Sequence, residues 1–281
     1  MRLSFVVMAY NQEGLIRDAV AAAFAQDHDD LEIVLTDDCS TDGTFAIMQD
    51  MAAAYIGPHT VLLNRNEPNL GLLDHINKLF SLATQEYIIY AAGDDISEPN
   101  RASRIAEVIA QDRPYLIHSN VTDLDGDGTE LDRQRERQRL KDLAGKSLKD
   151  VARAISHAIG ATCVWHRDIF EKFGPIMERG LYEDQVFYFR ARLLGSVSYI
   201  DERLVRYRRG IGISFAAKKD KMKLLDLNIN VLRQRIADLL KAGPRPKNIR
   251  KSLTRKLEKR LAQREAALAG TGDVDDDIFE D

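Results

Sequence analysis

Cysteine is scarce in this chain. Cys39 and Cys163 are the only two among 281 residues, and neither falls in a CxxC or Cys/His ligand spacing. That excludes a disulfide framework and a structural zinc site, and it favours a reducing compartment. Long apolar runs are missing as well. No stretch approaches the roughly 18 apolar residues that span a bilayer. The opening MRLSFVVMAYNQEG has an apolar core too short for a secretory leader, so the expected location is cytoplasmic. There is no positive excess: 40 Lys+Arg stand against 44 Asp+Glu, a formal net charge of −4. That gives no support for general nucleic-acid binding. Neither GxGxxG nor GxxxxGK[ST] occurs, which removes the dinucleotide turn and the P-loop. No internal repeat is visible.

What is present suits a soluble globular chain with a sizeable core, with 44% hydrophobic and 30% charged residues. The first half alternates in type. LSFVVMAY, LEIVLT, TVLLNR and YIIYAA read as strands. EGLIRDAVAAAFAQ, TFAIMQDMAAAY, GLLDHINKLFSLA and EPNRASRIAEVIAQ read as helices. Ser40 or Thr41 is the expected cap of the second helix, and Pro99 is expected in the first turn of the fourth. This rhythm predicts a parallel sheet covered on both faces. Ligands then bind beyond the carboxyl ends of the strands. Later, YLIHSNV and ATCVWH read as strands, SLKDVARAISHAIG and YEDQVFYFRARLLG as helices, and RLVRYRR as a final strand. From about Ala216 the chain is helical and charged, and it closes on the acidic TGDVDDDIFED.

The strand ends hold the chemistry. The first ends at Tyr10-Asn11, the second at Asp37-Asp38 and the fourth at Asp94-Asp95. Adjacent acids after a strand are compatible with a solvated turn or with oxygen ligands for a hard divalent cation. Two like charges about 4 Å apart cost about 4 kcal/mol at an effective dielectric near 20. A bound cation removes that cost and draws a diphosphate to the same edge.

Five stretches carry a resemblance: FVVMAYNQEGLIRDAVAAAFAQ, LEIVLTDDCSTDGT, NEPNLGL, EYIIYAAGDD and YEDQVFYFRARLLG. In this order they resemble the motifs of family 2 glycosyltransferases, over roughly residues 1 to 210. The resemblance implies an α/β fold of GT-A type, with a Rossmann-like, mostly parallel sheet and helices on both faces. It places a transferase domain at 1–215, with a nucleotide-binding half (1–95) and an acceptor half (96–215). A C-terminal helical appendage with an acidic tail follows at 216–281. Tyr10 would stack on the nucleobase, usually uracil, and Asp38 would accept a hydrogen bond from base or ribose. Asp95 would be the metal ligand for Mn2+ or Mg2+, with Asp94 nearer the ribose. Asp184 would be the base that takes the acceptor's proton in an inverting displacement. The implied partners are a nucleotide sugar, UDP-linked in the usual case, and a glycan or lipid-linked acceptor in surface-polysaccharide assembly.

The chain departs from that pattern twice. Where the family often continues as YRxH, Arg209 and Gly210 stand, which raises His166 as a further metal ligand. The arginine often found after NxGL is missing, so a phosphate-contacting cation falls to Arg208 or Arg209. Other residues have two readings. Asp37 suits bracing of its own turn. Glu183 and Asp184 also suit first-turn acids at a helix N-terminus. Arg190 would hold a carboxylate or lie on the surface, and Trp165 would wall the acceptor or fill the core. His28, His59 and His157 read as surface residues, His75 and His118 as packed ones. DLDGDGTELDRQ mimics the start of an EF-hand loop, but Gln134 at the twelfth position cannot give a bidentate carboxylate; a hairpin turn is expected.

KNIRKSLTRKLEKRLAQRE is a basic helix with a stripe at Ile249, Leu253, Leu257 and Leu261. It suits a packing or homo-oligomer contact, or a peripheral contact with anionic lipid at the inner face of a membrane. Two other classes of function stay open: a sugar nucleotidyltransferase, which normally needs a Gly-rich cationic first loop where this chain has MAYNQEG, and a non-catalytic nucleotide-sugar-binding module. Sugar choice is expected from loops after residue 95, and acceptor choice from the stretch between about 120 and 180.

Overall fold

A computed structural model describes residues 1–153, 158–210, 221–243 and 247–270. Its strands are β1 (Leu3–Ala9), β2 (Leu31–Asp37), β3 (Thr60–Arg65), β4 (Tyr87–Ala92), β5 (Ile96–Ser97), β6 (Leu116–Leu124), β7 (Glu130–Leu131), β8 (Val164–His166) and β9 (Val197–Arg208). Its helices are α1 (Ile16–Phe24), α2 (Thr44–Ala54), α3 (Leu72–Leu82), α4 (Arg101–Asp112), α5 (Gln134–Ala144), α6 (Leu148–Arg153), α7 (Asp168–Glu171), α8 (Glu183–Leu194), α9 (Lys221–Lys241) and α10 (Lys247–Leu268). His157, the division at 215/216 and the acidic stretch 271–281 lie outside the described residues.

One sheet runs in the order β3-β2-β1-β4-β8-β6-β9-β5, with β7 hairpinned onto β6. Strands β3, β2, β1 and β4 are parallel, as are β6 and β9. Strand β8 is antiparallel to both neighbours and welds the two parallel groups together. Every residue of β1 and β2 is buried, which is why their sequences read as unbroken apolar runs. Alternate side chains feed two cores. Phe5, Val7, Ile33 and Ile89 face α1, α2 and α4. Val6, Val34, Ile88 and Tyr90 face α3, α8 and the C-terminal helices.

Local details adjust the sequence reading. Asp42, rather than Ser40 or Thr41, accepts the Thr44 N–H (3.0 Å) at the start of α2. Pro99 precedes the α4 cap residue Asn100 instead of sitting in the first turn. His59 is buried, not on the surface, because Tyr55 stacks on it at 6.0 Å. The EF-hand mimic is a hairpin: Asp125 Oδ1 accepts the N–H groups of Asp127 and Thr129, and Gly128 turns the chain at φ +87°. Trp165 is core, lying 4.9 Å from the Tyr90 and Phe187 rings.

The expected C-terminal helices share the second core. Leu227, Val231, Leu232 and Leu239 of α9, with Leu253 and Leu257 of α10, belong to the same cluster as Trp165 and Phe187. Burying each such side chain contributes about 1.5–3 kcal/mol. Arg190 of α8 is buried, and its Nε and NH2 bind Asp238 of α9 at 2.8 and 3.0 Å. It holds a carboxylate, as one of its two readings required. Arg235 is likewise buried and donates to the Val151 and Gln185 carbonyls. Among the described residues no helix is long and apolar enough to cross a membrane.

Candidate active site

Strand register brings three of the named stretches to one edge. Ala9 pairs with Asp37 and Met8 with Ala92. The Asp38 and Gly93 N–H groups extend the ladder to the Ala9 and Met8 carbonyls. Asp38, Tyr10 and Asp94 therefore stand just beyond the adjacent strands β2, β1 and β4, whose neighbours run about 4.8 Å apart. Tyr10 is 44% exposed, which leaves its ring available for stacking.

The two acids after β2 divide their work. Asp37 braces its turn, accepting the Ser40 N–H and hydroxyl and lying 3.7 Å from the Arg65 guanidinium. Asp38 is only 3% exposed. Its Oδ1 accepts from Asn66 Nδ2 (2.8 Å) and the Leu70 N–H (2.9 Å), and its Oδ2 accepts from the Gly71 N–H (2.8 Å). Gly71 has φ +76°, a conformation glycine adopts without steric cost. In this structure Asp38 fixes the loop 66–71 behind the rim, a role the sequence did not announce.

The pair after β4 is crowded. A Cβ at Gly93 would lie 2.4 Å from Gln12 Oε1 and 3.1 Å from Ala9 Cβ, so glycine lets the Gln12 side chain lie over this turn. Burial raises the Asp94 carboxyl above its usual range, partly offset by Gln12 and the Arg208 charge. Asp95 is 4% exposed. Burial first, then the Asp94 charge, pushes its carboxyl well up. Its Oδ1 accepts the Arg208 backbone N–H at 2.8 Å. Beneath the pair lies Arg101, buried, donating to Ser97 Oγ and to the Tyr90 and Ala161 carbonyls, each at 2.9 Å. Arg101 was missed in the sequence. The available signal was an arginine in line with Ile105 and Ile109 on the apolar face of a helix.

Asp184 lies in the first turn of α8. Its neighbour Glu183 is buried, and desolvation plus the Asp184 charge pushes its carboxyl up to about 8. A 3-10 turn, Gly160–Thr162, crosses this helix start so closely that a Cβ on Gly160 would meet Glu183 Oε1 at 2.7 Å. Two tyrosines report the convergence. The Tyr90 hydroxyl is held well above its ordinary range by burial, then by the charges of Glu183, Asp94, Asp95 and Asp184. Tyr207 is raised to about 12 by burial and Asp95, with smaller contributions from Asp94 and Asp184 and an opposing one from Arg209. Asp94 and Asp95, from the turn after β4, and Asp184 of α8 thus all act on both rings, and Glu183 acts on Tyr90 as well.

His166 does not join them. It pairs with Tyr87, the first residue of β4, whereas Asp95 lies past the last. The six residues of β4 alone span about 20 Å. His166 Nε2 lies 3.0 Å from Glu86 Oε1, and its Nδ1 accepts the Asp168 N–H. The metal-ligand expectation fails because β8 runs antiparallel to β4, so the end of VWH points away from the rim. Arg209 is also occupied elsewhere: its Nε donates to buried Asp123 at 2.6 Å, and its guanidinium covers the Tyr207 ring at 4.6 Å. Arg208 acts on both Asp94 and Asp95, and Arg101 acts on Asp95 from beneath. Among the described residues, no three His, Cys, Asp or Glu side chains close on one point to hold a metal. A small divalent cation shared with a diphosphate needs only one or two carboxylates, the rest of its shell being phosphate and water. Asp94 and Asp95, each raised by burial and Asp95 also by its neighbour's charge, fit that requirement.

Comparison with known proteins agrees with this architecture. The description "Glycosyl transferase family 2" matches residues 4–174, ending just before Asp184. An uncharacterized glycosyltransferase of Nostoc sp. is 26% identical over 220 residues, covering 74% of this chain and 65% of that protein. This chain thus spans just under two thirds of that relative's length. The structure superimposes on Staphylococcus aureus TarS residues 1–349 in complex with UDP-GlcNAc with a TM-score of 0.68, at 17% identity over 95% of this chain and 73% of the other. It superimposes on the mannosyltransferase PcManGT of Pyrobaculum calidifontis, in complex with GDP-Man and Mn2+, with a TM-score of 0.63, at 17% identity over 97% and 76%. At such identities the structural likeness establishes the GT-A type fold alone, while the sequence match establishes kinship: this chain belongs to glycosyl transferase family 2.

Proposed function

We propose that this chain is an inverting, metal-dependent glycosyltransferase that moves a sugar from a nucleotide sugar to a hydroxyl of a glycan or lipid-linked acceptor, in surface-polysaccharide assembly. The observation that carries the reading is the register that sets the exposed Tyr10, Asp38 and Asp94 beyond adjacent parallel strands, with Asp94, Asp95 and Asp184 all acting on Tyr90 and Tyr207. In this reading the Tyr10 ring stacks on the nucleobase, and Asp38 supports the base or ribose along with the loop it fixes. Asp95, with Asp94 beside it, holds Mn2+ or Mg2+. When bound, that ion supplies positive charge to the departing diphosphate, and Arg208 adds a second cation on the same side. Asp184 faces the acceptor. As the acceptor oxygen bonds to the anomeric carbon and the carbon–diphosphate bond breaks, Asp184 accepts the hydroxyl proton. One displacement from the face opposite the leaving group inverts the anomeric centre.

Support for a UDP donor comes from the fold shared with TarS in its UDP-GlcNAc complex, and support for the ion from PcManGT with Mn2+. Two free cysteines are consistent with action in the cytoplasm. The nucleotidyltransferase reading is disfavoured because Tyr10-Asn11-Gln12-Glu13-Gly14, the loop after β1, holds no cation. The test is turnover of a nucleotide-sugar panel with Mn2+, followed by NMR of the product. Nucleoside diphosphate release with an inverted anomeric proton supports the reading. Pyrophosphate exchange into a nucleoside triphosphate overturns it, and so does retention.

A further inference from the structure

Helix α10 carries eight Lys/Arg against two Glu, in a chain whose formal net charge is −4. Its apolar stripe already has a partner. Leu253 and Leu257 are fully buried in the core they share with α9, and Leu261 packs at its margin. The side chain of Ile249 lies outside the described residues. With those leucines consumed, the described side chains of α10 leave a lone exposed Leu268 and no apolar stripe to lay into a bilayer or against a second helix. What it turns outward is charge. Lys251, Arg255 and Lys259 recur at every fourth residue, and all three are exposed. Among the described residues none of them is in an ion pair. Arg250 and Lys256, partly exposed, flank the row. Arg250 also donates to the Leu240 carbonyl at 3.1 Å, which brings the Leu240 main chain, its residue 58% exposed, to the Arg250 end of the row.

We propose that this row is a docking surface for anionic phospholipid headgroups, which would hold the protein peripherally on a bilayer. Spaced cations are attracted by a negative surface potential, each strengthening binding about fivefold, and the attraction decays within a Debye length. The exposed leucine favours a bilayer over a hydrated polyanion. A lipid surface offers it an apolar boundary, and a soluble chain of charges does not. This inference does not depend on the transferase reading, since none of these residues touches the acidic site.

The test is co-sedimentation of the full chain with phosphatidylcholine vesicles, with and without phosphatidylglycerol. Binding that needs phosphatidylglycerol and is released at about 0.5 M salt, where screening is strong, is the expected result. The triple variant Lys251→Glu, Arg255→Glu, Lys259→Glu should bind at least about 100-fold more weakly with an unchanged circular dichroism spectrum and melting temperature. Leu240→Ser should weaken binding further without altering its salt dependence. No binding to anionic vesicles overturns the proposal, as does binding that survives the triple variant. Tighter salt-sensitive binding to heparin than to the vesicles, lost in the same variant, also overturns it in favour of a soluble polyanion.

Discussion

The Asp95 carboxylate accepts the backbone N–H of Arg208 at 2.8 Å, so the acid that ends the β4 turn is aimed by the last residue of β9. Strands on opposite sides of the sheet's antiparallel weld are joined at the site itself. Because the donor is a main-chain group, the contact survives a change of the Arg208 side chain to any residue but proline.

Asp95→Asn follows directly. Asparagine keeps an oxygen for the Arg208 N–H and removes the charge a cation needs. Folding should be preserved, while Mn2+-stimulated turnover falls by about 10²–10³, the scale of losing one strong electrostatic contact in a transition state. A manganese titration of activity checks this, with far-UV circular dichroism as the control.

Glu183 makes stability pH-dependent. Its carboxyl is raised to about 8 by burial and by Asp184, against an ordinary value near 4.5. Below the ordinary value both folded and unfolded chains hold the proton. Between it and about 8 the unfolded chain releases the proton and the folded one keeps it, so stability falls as pH rises. The slope from this one group is at most about 1.4 kcal/mol per pH unit. Glu183→Gln should flatten the decline of melting temperature between pH 5 and pH 8, with the largest gain over wild type at the alkaline end.

Gly160 gives the carboxyl pair its room. A methyl group there would sit 2.7 Å from Glu183 Oε1, closer than carbon and oxygen tolerate. Gly160→Ala should push the buried Glu183 carboxylate aside and, through the first turn of α8 that the two acids share, disturb Asp184. The expected signature is a fall in kcat of about tenfold or more with donor affinity nearly unchanged, since misplacing a reacting group by a fraction of an ångström is costly in rate. Isothermal titration with the nucleotide sugar, alongside steady-state kinetics, separates the two quantities.

The Arg190–Asp238 pair is fully buried and ties α9 to α8. Removing one partner leaves a buried charge uncompensated. Asp238→Asn should lower unfolding free energy by about 3–5 kcal/mol, whereas Arg190→Met with Asp238→Leu should recover most of it. Urea denaturation of the single and double variants measures both.

Much of this fold was legible in the sequence because β1, β2 and β4 are buried on both faces, and unbroken runs such as FVVMA and EIVLT leave little ambiguity. The acids after β2 and β4 were legible for the same reason: a rule about strand ends locates them without coordinates. His166 was misread because orientation is not local. VWH looks like any other strand end, and only its antiparallel pairing with Tyr87 turns it to the far edge. Arg101 and Gly160 were missed because their importance lies in long-range contacts, to Ala161 and Glu183 respectively. Arg190 sits in a helix that is buried nearly all round, so no polar face decided between its two readings, a held carboxylate or a place on the surface.

The most direct test is Asp184→Asn assayed for donor binding and metal-dependent sugar transfer in the same preparation. A general base that faces the acceptor should leave the nucleotide-sugar dissociation constant within about twofold and reduce transfer by about 10²–10⁴. Transfer at the wild-type rate would contradict the assignment, as would loss of donor binding in parallel with loss of rate.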